Sequence, residues 1–169
     1  MERATPLDRY FEILSAASNM VWKVFKLAYT TQQDPTRAFS QITARYRQTP
    51  AEKYVIEYIA LCVSELSEKK SPDTYIAEAQ KASAEMWKVF KGYAEKVENG
   101  TMKDADWSNY STKAAEVGYK RYDSVLWEYA KGYTILCVHE LDRRDRALRG
   151  ISDEMTLQEY MMGGKRIAF

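Results

Sequence analysis

Apolar positions recur along this chain at steps of three and four, the spacing of one helix face, and they predict helices almost throughout. Leu7, Phe11, Leu14, Val21, Phe25 and Ala28 make the first stripe, so a helix is expected from about Pro6 to Tyr29. Thr5 serves as its start signal, and Pro6 is tolerated in a first turn. A second helix is predicted from Asp34-Pro35, with Phe39, Ile42 and Tyr46 inward. A third is predicted from Thr49-Pro50, where Thr49 and Glu52 have the spacing of a capping box. Its stripe is Tyr54, Tyr58, Ile59, Cys62 and Leu66, and Lys69 and Lys70 suit its C-terminal dipole. Ser71-Pro72-Asp73 opens a fourth helix that buries Tyr75, Ala79, Ala82, Met86, Val89, Phe90 and Tyr93. Asn99-Gly100 ends it, because glycine accepts the left-handed conformation of a helix end. Asp104 or Asp106 caps a fifth helix to about Tyr122, with Trp107, Tyr110, Ala114 and Val117 inward. The sixth carries Leu126, Tyr129, Tyr133, Leu136, Cys137 and Leu141 and ends in Arg143-Arg144-Asp145-Arg146. No strand is predicted.

The helices come in two sets of three. Asp8 to Lys26 aligns with Asp73 to Lys91 at an offset of 65, with 9 of 19 positions identical, among them Trp22 to Lys26 and Trp87 to Lys91. Tyr58 to Leu66 aligns with Tyr133 to Leu141 at an offset of 75, with 6 of 9 identical. Arg45-Tyr46 has a fainter echo in Arg121-Tyr122. The growth in offset places about ten extra residues in the middle of the second copy. The expected fold is therefore all-α: a six-helix bundle from a tandem duplication of a three-helix unit, residues 6–70 and 71–149, packed as one domain. Residues 150–169 are expected to add a short C-terminal helix, Ser152 to Met162, and a basic tail that docks on the bundle or binds a partner. Trp22 and Trp87 flank their stripes beside Ser18 and Ser83. That placement fits the seam between copies, or the completion of each unit's own core.

Composition agrees with helices and short connections: 169 residues with only 7 Gly and 4 Pro, 46% hydrophobic and 29% charged. A net charge of +1 argues against a generally basic nucleic-acid binder, although a local patch survives inside a neutral total. No apolar run approaches the ~20 residues that span a bilayer. The first residues lack the apolar stretch of a signal peptide, so a cytoplasmic location without membrane contact is expected. Cys62 and Cys137, at equivalent positions, read as buried thiols; a bridge between copies is disfavoured in a reducing compartment.

Candidate chemistry is sparse. Glu65 and Glu140 recur three residues after the repeated cysteines, and the repeated Lys23, Lys26, Lys88 and Lys91 lie on the preceding element of the same unit, so at least one Lys–Glu pair in each copy is expected. Two carboxylates meeting across the pseudo-axis would be the catalytic or metal alternative, but no Glu-x-x-His accompanies them, and His139 is the single histidine. His139 and Cys137 diverge on a helix, which disfavours a nucleophile pair. No cofactor fingerprint is present. Arg37, Arg45, Arg47 and Lys53 gather around Tyr46, and Lys113, Lys120 and Arg121 around Tyr119 and Tyr122. Such clusters suit a protein interface, phosphate and base contact, or an ordinary solvated face. With 13 Tyr and 4 Trp, exposed aromatic surface favours binding over turnover. The expectation is a non-enzymatic, cofactor-free protein that acts through protein–protein contacts. A phage- or mobile-element-encoded inhibitor or adaptor of a host enzyme or nuclease would fit that size and chemistry. A nucleic-acid binder using the middle helices and an enzyme with a pocket between the repeats are the alternatives.

Overall fold

The described residues of the computed structural model, 5–68, 74–122 and 126–150, form helices joined by short turns, with no strand among them. The helices are α1 (Pro6–Thr31), α2 (Thr36–Arg45), α3 (Glu52–Ser67), α4 (Tyr75–Glu98), α5 (Asp104–Ala115) and α6 (Trp127–Leu148). No described helix is long and apolar enough to cross a membrane. Lys69 to Asp73 and the C-terminal segment from residue 151 lie outside the described residues, so the expected opening of the fourth helix and the short last helix lie there too.

Local chemistry sets the helix ends. At α1 the Thr5 hydroxyl accepts from the Asp8 N–H at 3.0 Å and the Asp8 carboxylate accepts from the Thr5 N–H at 3.0 Å, so two free donors are satisfied reciprocally. Those bonds hold the Asp8 carboxyl below its ordinary pKa. Asp34 accepts from the N–H and the hydroxyl of Thr36 at the start of α2. Gly100 (φ 68°) closes α4 as expected. The third helix departs from expectation: it begins at Glu52, not at Pro50. Gln48 turns left-handed (φ 62°), and the Glu52 carboxylate accepts from the Gln48 N–H, while the Thr49 hydroxyl donates to the Tyr46 carbonyl at 2.6 Å. The fifth helix also departs, ending at Ala115 and continuing as one π-helical turn, Glu116–Lys120. A Cβ on Gly118 in that turn would lie 2.9 Å from Thr134 Cβ, so its backbone rests directly on α6.

α3 and α6 face one another at the centre. α1 packs on α3 and α4 on α6, while α1 and α4 touch each other. α2 rests on α1 and α3; α5 rests on α4 and α6. The stripes read from the sequence supply the core: Leu14, Val21, Phe25, Tyr54, Tyr58, Met86, Phe90, Tyr110, Tyr129 and Leu141 are all buried. Fully burying one such apolar side chain contributes about 1.5–3 kcal/mol. Val55 joins them, while Ile59, Leu66, Val89 and Trp107 are only half-buried.

Candidate functional site

At the centre the helix stripes meet through hydroxyls as well as rings. Ser18 Oγ donates to the Tyr54 hydroxyl at 2.6 Å, which shares a hydrogen bond with Tyr133 at 2.9 Å. Ser83 Oγ bonds the Tyr129 hydroxyl at 2.6 Å, which shares a hydrogen bond with Tyr58 at 3.1 Å. Adding 65 to the serine number and 75 to the first tyrosine number converts one chain of bonds into the other. All four tyrosines are buried, and burial raises their pKa values, so they remain neutral donors and acceptors. Cys62 and Cys137 are buried free thiols, with pKa values likewise pushed up by burial.

Above this network a cleft of about 220 Å³ opens between α1 and α4. Ser18, Asn19 and Trp22 line it from one side, Ser83, Ala84 and Trp87 from the other, with Tyr58 and Tyr133 below. Each tryptophan is partly buried and touches the other half: Trp22 lies 6.3 Å from the Tyr129 ring, and Trp87 meets Phe11 edge-on at 6.4 Å.

Glu65 and Glu140 are buried, and their partners are phenols from the opposite half. Tyr75 donates to Glu65 Oε1 at 2.5 Å, and Tyr10 donates to Glu140. This corrects the expected Lys–Glu pairing: Lys23, Lys26, Lys88 and Lys91 are exposed on the faces of α1 and α4 turned from the core. The two carboxylates do not meet as a pair; each is held at its own end. Among the described residues no three His, Cys, Asp or Glu side chains converge as a metal site. Around Glu140 the charges are dense. Arg143 binds Glu57 through two nitrogens, at 2.7 and 3.0 Å, and also reaches Glu140 at 3.0 Å. Burial raises the Glu140 pKa and Arg143 opposes the rise. Arg144 lies 4.3 Å from the centre of the Tyr10 ring and binds Glu98 at 2.5 Å. A charged cleft of about 280 Å³ adjoins this cluster, lined also by Thr49, Glu52 and Lys53. In the other half the Tyr75 ring is stacked on Tyr29 at 4.7 Å instead. Arg146, on α6, is fully buried and binds Asp142 at 3.0 Å, which the charged look of that segment does not foretell.

The basic aromatic clusters are less available than their sequence implies. Arg37, Arg45, Arg47 and Lys53 are exposed, but Tyr46 between them is buried, its hydroxyl turned to the Met20 sulfur at 3.4 Å. Lys113 lies over the Tyr93 ring at 5.4 Å, and Arg121 is paired with Glu85. Burial and the nearby Glu85 raise the half-buried Tyr122 to about pKa 12. Tyr119 and Lys120 are exposed. The first cluster runs from α2 through the following turn to Lys53 at the start of α3, and the second from α5 through its π turn to Arg121 and Tyr122 just beyond it.

A wider opening than either cleft lies elsewhere, between α2 and α3. It has a volume of about 590 Å³ and is lined by Phe39, Thr43, Arg47, Ile59, Val63 and Leu66 among others. Val63 is 48% exposed, and Ile56, two turns earlier on α3 and outside the groove lining, is 45% exposed. The signal was present in the sequence: Ile56, Ile59, Ala60, Val63 and Leu66 trace a second apolar face on α3. No protein-family model, no characterised protein and no solved structure matches this chain.

Proposed function

We propose that the chain is a tandem duplication of a three-helix unit, closed about a pseudo-two-fold axis, that acts by binding a protein partner rather than by turning over a substrate. The duplication is supported by the exchanged bonds: Tyr10 with Glu140 and Tyr75 with Glu65, Tyr54 with Tyr133 and Tyr129 with Tyr58. The binding role rests on one observation: α3 carries two apolar faces, and the outer one is packed only in part, with Ile59 and Leu66 half-buried and Ile56 and Val63 exposed. An outer aliphatic face in a groove of about 590 Å³ is an apolar patch rimmed by polar residues, the usual mark of an interaction surface. An adaptor or a stoichiometric inhibitor works in this way. Arg47 then stands at the rim, Arg37 and Arg45 are exposed nearby in the chain, and Lys53 lines the charged cleft beside Glu140, while Lys113, Tyr119, Lys120, Arg121 and Tyr122 belong to a separate surface.

Affinity capture from the native host with wild type, Val63→Arg and Lys120→Glu, read by mass spectrometry, tests the reading. Val63 is exposed, so its variant keeps the wild-type melting curve. A protein held by wild type and Lys120→Glu but lost from Val63→Arg is expected. Identical capture by all three variants overturns the assignment of this face. Tight binding of a DNA or RNA duplex that falls steeply with salt replaces the reading with nucleic-acid binding.

A further inference from the structure

We infer that the α2–α3 groove receives an amphipathic helix from a partner protein, and that this helix presents an aliphatic and small-residue face with an acidic residue near Arg47. The inference deepens the proposed function and rests on it. It is carried by a comparison that the chain makes with itself. At the offset of 75, Ile59, Val63 and Leu66 of α3 correspond to Thr134, Val138 and Leu141 of α6. The α6 residues are 2%, 5% and 0% exposed, whereas Val63 is 48% exposed and Ile59 and Leu66 are half-buried. The difference lies in what covers them. In the second half the middle segment is helical over 104–120, and both α5 and the π turn lie on α6. Tyr110 donates to the Cys137 carbonyl at 3.0 Å, and Gly118 brings the backbone against Thr134. In the first half α2 spans only 36–45, and the extra residues are missing. Both halves thus lay a middle helix on this face, α2 on α3 and α5 on α6, but only the second half adds the π turn that closes it.

The groove has the shape for such a cover. Its α2 wall, Thr36–Arg45, is about 15 Å long at a helical rise of ~1.5 Å per residue, room for between two and three turns. That wall presents Thr36, Ser40 and Thr43, short side chains that leave the space unfilled. Apolar anchors on α3 with short polar neighbours and one cation at the end make a helix-in-groove site. The cover in the second half, Val117-Gly118 after Ala114-Ala115, shows the residue sizes that fit.

The probe is therefore a helix-stapled peptide with the sequence Ser111–Tyr119, titrated into the isotope-labelled full chain and followed by nuclear magnetic resonance. Saturable shifts confined to α2 and the outer face of α3 are expected, with affinity at least tenfold weaker in Val63→Arg and in a peptide carrying Val117→Glu. No shift at peptide excess, or shifts that persist unchanged in Val63→Arg, overturn the helical occupant. Binding by a chain ended at Gly150 but not by the full chain overturns it in favour of the chain's own C-terminal segment. Self-association of the peptide-free full chain in sedimentation, lost in Val63→Arg, overturns it in favour of a second copy. If the peptide fails while host capture still depends on Val63, only the helical occupant falls; if capture too is independent of Val63, the binding reading falls with it.

Discussion

Glu140 is the residue where burial and charge conflict. It accepts from Tyr10 and from Arg143, yet removal from water still holds its pKa above the ordinary value of 4.5. The folded state then binds this proton more tightly than the unfolded chain does. Between the ordinary value and the raised one, stability falls as pH rises. Glu140→Gln keeps an acceptor for Tyr10 and deletes the titration. The melting temperature of the variant, taken relative to wild type, should rise as pH increases above the ordinary carboxylate value, with each kcal/mol worth roughly 2–4 °C at this chain length. A difference that stays constant, or that moves the other way, refutes the assignment. The recurrence of Glu65 and Glu140 was visible in the sequence, and so was that of Tyr10 and Tyr75. What misled was charge: lysines look like the natural partners of carboxylates. Helix phase decides otherwise. Lys23 lies about 200° around the helix from buried Val21, at 100° per residue, and so points away from the centre.

At the scale of elements, the stripes of α1 to α6 were legible because each buries one face, and Phe39, Ile42, Tyr110, Leu126 and Leu136 are buried as their spacing predicts. Two features were not legible. The start of α3 depends on a left-handed Gln48, which propensity does not announce. The π turn depends on a contact made by the folded chain, Gly118 against Thr134. Glycine substitutions separate these packing demands from propensity. Gly118→Ala places a methyl 2.9 Å from the Thr134 Cβ and Oγ1, against a helix that must shift to admit it, and should cost about 1–3 kcal/mol in denaturant unfolding. Gly92→Ala, on the exposed side of α4 with nothing within 4 Å, should stabilise by about 0.5–1 kcal/mol. Equal effects at both positions would mean that the π turn does not bear on α6 as described.

At the scale of the whole molecule, the proposed duplication implies that the two halves share a plan and depart from it at definite places. Where the plan holds, equivalent residues should have equivalent energies. Tyr54 and Tyr129 each bond a serine of their own half and a tyrosine of the other. Tyr54→Phe and Tyr129→Phe each remove one buried hydroxyl while keeping the ring, and each should cost about 1–2 kcal/mol. The two bond chains share no residue, but their rings touch, Tyr54 with Tyr58 at 5.8 Å and Tyr129 with Tyr133 at 6.2 Å, so the double variant should depart from additivity by about 0.5 kcal/mol or more. Where the plan breaks, equality should fail. Tyr10→Phe leaves Glu140 with Arg143, and Arg144 still lies over the ring, whereas Tyr75→Phe removes the phenol from Glu65, whose counterpart of Arg143 at the offset of 75 is Glu68. The loss at Tyr75 should therefore exceed the loss at Tyr10. Equal costs for the first pair together with unequal costs for the second would follow from a duplicated core whose ends have diverged. Four unrelated values would remove the energetic basis for treating the halves as one unit used twice.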